Sequence, residues 1–192
     1  MLLSVKDRLD LVRMDYELRG VKALFLRDYD NLPTPGGILS ARRGDEIELP
    51  RWQAALLASK GVVEVKDSSV DIDYINMYHF REKKKAGANE LSQLPQDFYM
   101  KAGELVERLD RLIRESPSHM LFRDRDVLER NLMELAESRL AKLLRLAQSG
   151  SEEFKERMTP EEALVYKVIR DTIESWRGYI RSKTQKRGGG EG

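Results

Sequence analysis

Cysteine is absent from the 192 residues. That excludes disulfides, thiolate metal sites and a cysteine nucleophile together. Histidine is nearly absent too: His79 and His119 stand far apart, and neither sits in an H-E-x-x-H or comparable metal frame. No G-x-S-x-G and no phosphate-cradling glycine loop occurs. Gly36-Gly37 lacks the Lys and Ser/Thr that would follow in such a loop and reads as a turn, and Gly188 to Gly190 belong to a polar tail. Excess charge of one sign is missing, since 34 Lys and Arg face 33 Asp and Glu. Proteins that live on phosphate backbones usually carry a basic surplus. No apolar run approaches the roughly 20 residues that span a bilayer. The start, Met1 to Arg8, lacks the basic end and apolar stretch of a signal peptide. These absences lead us to expect a cytoplasmic protein that is not an enzyme and takes no cofactor and no metal.

Charge and aliphatic side chains make up most of the chain: 35% is charged and 41% hydrophobic, with 7% aromatic. This is a globular composition with enough apolar material for a core. Lys, Glu, Arg and Asp are abundant while Asn and Gln are scarce, the bias of a thermophile.

The period of the pattern changes near residue 70. From Val12 to Arg19 apolar and charged residues alternate strictly, which predicts a half-buried strand. Gly20 then permits a tight turn, and Val21 to Leu26 supplies a second strand of a hairpin. Asp30 to Gly37 reads as loop, and Glu46 to Leu49 as a strand. Pro50 and Trp52 open a helix that Gly61 ends, and Val62 to Val65 closes the unit. Beyond this the pattern is helical. The expected fold class is α+β: a small β-rich domain with one helix over residues 1–66, a linker at 67–70, an all-α helical bundle domain over 71–182 and a disordered tail at 183–192.

Four helices are predicted in the second half. The first runs from Asp71 to about Lys85. The second opens at Pro95 and carries Phe98, Ala102, Leu105, Leu109 and Leu112 on one face, until Ser116-Pro117-Ser118 ends it. The third spans Asp126 to Gln148. The fourth starts at Thr159-Pro160-Glu161-Glu162, with Thr as cap, Pro at the first helical position and Glu three residues after the cap. Along it lie Val165, Ile169, Ile173, Trp176 and Ile180. The third helix has two apolar stripes: Leu128, Leu132, Leu135, Leu140, Leu143 and Ala147, and beside it Met133, Ala136, Leu140 and Leu144. A helix apolar on two sides wants two packing surfaces. Either it sits centrally in the bundle, or one side meets another subunit. In the second case Leu128, Leu132, Met133, Leu140 and Leu144, with Phe98, Tyr99 and Trp176 as aromatic anchors, form the interface.

Two basic runs are candidate phosphate contacts: Lys83, Lys84 and Lys85, and the tail residues Lys183, Lys186 and Arg187. No aromatic residues interleave with the first run, so base stacking is not indicated there. Solvated helix ends favoured by the dipole account for both runs at least as well.

In this order several phrases resemble the GINS family, the assembly factor of the replicative DNA helicase. Gly44-Asp45-Glu46-Ile47-Glu48-Leu49-Pro50, within Gly37 to Ala54, is similar to the family's small β-rich domain, where a Gly-Asp turn leads to a strand and Leu-Pro opens a helix. Gly61 to Val65 matches the strand that follows. Leu94-Pro95-Gln96-Asp97-Phe98-Tyr99 resembles the start of the family's long helix. Arg139 to Ala147 followed by Met158 to Glu162 resembles its last two helices. The small domain leads, as in the Psf-two/Psf-three class, although Asp97-Phe98-Tyr99 is also similar to the helical-first class. The resemblance implies a non-catalytic archaeal scaffold subunit. It would sit in a two-plus-two heterotetramer with a second GINS subunit class, linking the MCM helicase to a Cdc-forty-five/RecJ-like protein. The family offers no catalytic residues to transfer. The Val12 to Arg19 stretch and the basic tail match nothing in it. The competing reading is a nucleic-acid-binding adaptor that docks DNA or RNA through Lys83 to Lys85 and the tail.

Overall fold

The computed structural model describes residues 3–67, 70–85, 87 and 90–185. The chain divides into two compact units, one built on Asp10–Ser69 and the other on Val70–Gly192 with Met1–Leu9. The architecture is α+β, with an antiparallel strand region ahead of a helical bundle.

The chain opens with a helix, α1 (Val5–Leu18), where the alternating pattern had predicted a strand. The same residues satisfy a helix: Val12 and Tyr16 are one turn apart, and Leu11, Met14 and Leu18 form a second stripe. A reciprocal cap starts it. The Asp7 amide donates to Ser4 Oγ at 3.1 Å, and the Ser4 amide donates to Asp7 Oδ2 at 2.9 Å, which holds the Asp7 carboxyl below the usual aspartate range. Tyr16 is the buried residue of α1, and the Arg51 guanidinium lies 4.4 Å from its ring centroid.

Five strands and one helix follow. β1 (Gly20–Phe25) is the centre of a three-stranded antiparallel sheet, flanked by β4 (Glu46–Pro50) and β5 (Val63–Val65). Val21 faces Leu49 and Phe25 faces Val63. Val21, Ala23 and Phe25 point inward at the period of a strand, onto Ala54 and Leu57 of α2 (Arg51–Ser59). The expected hairpin between residues 12–19 and 21–26 is therefore not formed. Gly20 makes no turn here; it begins β1, where the exposed carboxylate of Glu48 occupies the space a Cβ would take, with Oε1 2.0 Å from it. The expected loop at 30–37 is instead a second hairpin, β2 (Tyr29–Thr34) and β3 (Gly37–Ala41). Its prolines hid it, yet Pro33 is tolerated on a two-stranded edge opposite Ile38.

The second unit packs α3 (Ile72–Lys84), α4 (Phe98–Glu115), α5 (His119–Ser149) and α6 (Pro160–Gln185). Asp71 caps α3 by accepting from the Tyr74 amide at 2.9 Å. α5 starts seven residues before its predicted beginning, because Ser118 accepts from the Leu121 amide and caps it. Gly150, left-handed at φ 71°, ends it. One core joins Val70, Ile75, Leu94, Phe98, Ala102, Leu105, Leu109, Leu128 and Leu135; a second joins Leu91, Leu143, Leu146, Ala147, Met158 and Tyr166. Each such leucine removed from water contributes roughly 1.5–3 kcal/mol. α6 runs on through residues 183–185, which the expected tail had included; Ser182 and Thr184 donate to the carbonyls of Tyr179 and Arg181 within it. The rest of that tail, and residues 68 and 69 of the expected linker, lie outside the described residues.

Candidate functional site

The bundle is organised around a buried group of four charges. Arg139 on α5 has 0% exposure. Its Nη1 donates to Glu82 Oε2 at 3.0 Å and to the Ser92 carbonyl at 2.9 Å. Its Nη2 donates to Glu162 Oε2 at 2.7 Å and the Arg157 carbonyl at 3.0 Å, and its Nε donates to Glu162 Oε1. All five N–H groups of the guanidinium are thereby matched. One turn on, Lys142 Nζ donates to Glu82 Oε1 at 2.6 Å and to the Lys85 carbonyl at 2.9 Å. Two cations meet two carboxylates, so the cluster is neutral.

Each helix of the bundle contributes. Glu82 comes from α3, Tyr99 from α4, Arg139 and Lys142 from α5, and Glu162 from the first turn of α6. The Tyr99 hydroxyl donates to Glu162 Oε1 at 2.8 Å. Glu162 also closes the predicted capping box, accepting from the Thr159 amide at 3.1 Å. Burial pushes the Glu82 carboxyl up, but bonds from Lys142 and Ser92 and the charge of Arg139 outweigh it and hold the group below the usual glutamate range. Burial and the Glu162 carboxylate push the Tyr99 phenol up. A single sequence signal pointed to this cluster: Arg139 stands one turn from both Leu135 and Leu143, on the apolar seam itself.

The opposite side of α5 inverts this arrangement. At ~100° per residue, Phe122, Met133, Leu140 and Leu144 fall within about 40° of one another. Met133 is 54% exposed, Leu140 36% and Leu144 41%, and Phe122 is exposed as well. Of the residues predicted for a subunit interface, Met133, Leu140 and Leu144 on α5 and Trp176 on α6 remain exposed. Leu132 is half-buried against the core. Phe98 and Leu128 are fully enclosed by their own unit, so the structure corrects their assignment. Both lie at the centre of the seam, where the sequence periodicity cannot separate inner from outer stripes. Tyr99 is half-buried and committed to Glu162. Trp176 is 63% exposed on α6, stacked on Tyr179 with centroids 6.2 Å apart.

The basic candidates are largely engaged. Lys83 Nζ lies 2.7 Å from Glu134 Oε2, which His79 Nε2 also meets at 3.0 Å. His79 is half-buried and not the free surface residue that a lone histidine usually is. Lys84 Nζ sits 4.5 Å from the Phe80 ring centroid, and Lys85 Nζ is 3.9 Å from Glu90. Lys183 Nζ is 5.2 Å from the Tyr179 centroid, while Lys186 and Arg187 lie outside the described residues. Among the described residues no three His, Asp or Glu side chains gather as a metal site, and no helix is long and apolar enough to cross a membrane.

Residues 69–181 match the family model for the GINS complex protein helical bundle domain. No curated protein matches the chain.

Proposed function

The chain belongs to the GINS complex protein family, and from that premise we propose that it is a non-catalytic scaffold subunit of the GINS replication complex, assembled through the exposed stripe of α5. Membership implies assembly with other GINS subunits. The observation that carries the surface is the two-sidedness of α5: its charged groups Arg139 and Lys142 are inside, and Met133, Leu140 and Leu144 are in water. Covering such a stripe removes apolar area from water at ~25 cal/mol per Å². The β-rich unit precedes the helical one, which supports the Psf-two/Psf-three class and a two-plus-two tetramer with a helical-first subunit. The thermophile-like composition supports an archaeal source. Within the replisome the complex would link the MCM helicase and a Cdc-forty-five/RecJ-like protein.

The test is solution mass by light scattering, for this chain alone and mixed with a helical-first GINS subunit. A discrete complex of two copies of each is expected. Leu140→Asp places an unpaired charge in the covered stripe and should break that complex while the chain stays folded. A full tetramer from the variant would remove α5 from the interface. The adaptor reading has less to draw on, because Lys83 and Lys85 lie beside carboxylates and Lys84 beside a ring. It predicts DNA affinity that falls steeply with salt and is lost when these lysines become glutamate.

A further inference from the structure

α1 is apolar on two opposite sides. Tyr16 is buried, while Leu11, Met14 and Leu18, at i, i+3 and i+7, are all exposed. Acidic side chains line the start of that stripe: Asp7 is one turn before Leu11 and Asp10 is one turn before Met14, while Arg8 also precedes Leu11 and Asp15 is paired with Arg19 at 2.8 Å. The end of α6 is its counterpart. Beyond Ile173 every residue to Thr184 is exposed except half-buried Arg177. Trp176, Tyr179 and Ile180 form a stripe at i, i+3 and i+4, and Lys183 lies on its line, with Arg177 and Arg181 alongside. Helical segments of this length are marginal in water unless something packs on them.

We infer that in a complex holding two copies of this chain, α1 of one copy packs antiparallel on the C-terminal third of α6 of the other. Charge selects this occupant. In-register pairing of α1 with its own copy would set Asp7 against Asp7 and Asp10 against Asp10, and the same pairing of the α6 ends would oppose Arg181 and Lys183. The cross-pairing brings the acidic end of one to the basic end of the other. Charge also selects the direction. The antiparallel order places Asp7 beside Lys183, Leu11 beside Tyr179 and Ile180, and Met14 beside Trp176, where its thioether meets an aromatic ring. Two copies related by a two-fold axis make the contact twice. The matched family domain begins at residue 69 and does not include α1. The inference rests on the GINS assembly reading only in requiring two copies in one complex.

The absence of cysteine makes the test direct. One tagged copy carries Met14→Cys and a differently tagged copy carries Trp176→Cys; the two are assembled with the helical-first subunit and treated with a short bis-maleimide. A product of two-chain mass bearing both tags is expected. Met14→Cys with Lys183→Cys, displaced by ~10 Å along α6, should yield at least tenfold less. Reversing Asp7 and Asp10 to Lys should lower the in-register product several-fold, and Arg181→Asp with Lys183→Asp in the other copy should restore it. No product, equal product from both pairs, or a product of single-chain mass from a chain carrying both cysteines overturns the contact. Light scattering on the same samples separates the two readings. An intact tetramer without the cross-link rejects this contact alone, and loss of the tetramer in every sample rejects the assembly beneath it.

Discussion

Glu82→Gln keeps the shape of its side chain and removes one of the two negative charges in the buried cluster. Both oxygens of Glu82 are engaged, Oε1 by Lys142 and Oε2 by Arg139 and by the amide and hydroxyl of Ser92. In the variant, two cations face Glu162 alone, and the cluster carries a net positive charge where Arg139 is 0% exposed. Breaking a buried pair by removing one partner costs ~3–5 kcal/mol. Lys142 keeps its bond to the Lys85 carbonyl and Arg139 keeps both bonds to Glu162, which favours the lower end, about 3 kcal/mol. For a chain of this size that lowers Tm by about 6–12 °C. The assay is thermal and urea unfolding of the purified chain, followed by far-ultraviolet circular dichroism. Because the folded Glu82 is held below its ordinary range, its contribution is complete above the unfolded value of ~4.3 and fades as pH falls through the folded one. The gap between wild type and variant should therefore be full at pH 7 and narrow below about pH 4. Adding Lys142→Met should recover part of the loss by removing the orphaned charge. A midpoint within ~2 °C of wild type at pH 7, or a gap indifferent to acid, would refute Glu82 as the counter-charge.

Tyr99→Phe removes a hydrogen bond to a carboxylate and should lower unfolding stability by ~1.5–3 kcal/mol at pH 7. Burial raises the phenol of Tyr99, so its contribution is present below pH ~10 and lost as pH rises beyond it; alkaline titration of the variant should be flatter than wild type, and parallel curves would count against the assignment. Gly150→Ala meets open space but a left-handed backbone, and should cost ~1–2 kcal/mol from conformation alone in the same urea assay; no change would mean that α5 ends differently. Ser4→Ala deletes the hydroxyl that accepts from the Asp7 amide, and amide exchange within α1 should quicken about fivefold; unchanged protection would show that the cap does not hold the helix.

The legible parts of the sequence were those with a single strong period. Phe98, Ala102, Leu105 and Leu109 of α4 announce their helix, and all four are buried. Thr159 to Glu162 announces the start of α6. The stretch from Val12 to Arg19 satisfies two periods at once, and the Ser4–Asp7 cap that decides between them lies eight residues upstream. The β2–β3 hairpin was obscured by Pro33, Pro35 and two glycines, which a two-stranded edge accommodates and a central strand does not. In the candidate site, the exposed leucines of α5 could be placed on a helix but not sorted into inner and outer stripes. Arg139 and Lys142 differ from the chain's many other charged residues only in that Arg139 stands on the apolar seam. Their burial depends on Glu82 and Glu162, which stand 57 and 23 residues from Arg139 in the chain.

That inversion bears on how the subunit is used. Buried charge in a monomer must find its partners within the monomer, since an unpaired ion in the interior costs several kcal/mol. In this bundle α3, α4, α5 and α6 all supply them, so the internal position of α5 is set without any other protein. Exposed leucines carry no such requirement, because water tolerates them at a modest loss that a partner can recover. If the exposed stripe is the assembly surface proposed above, placing the ions inside and Met133, Leu140 and Leu144 outside separates folding from assembly along a single helix. Such a surface would be held rigid before a partner arrives, which lowers the ordering cost of binding. It follows that Leu140→Asp and Glu82→Gln should act on different observables. The first should alter complex mass at unchanged Tm, and the second should alter Tm first. If both variants lowered Tm and mass together, folding and assembly would be one process, and the two sides of α5 would not be independent.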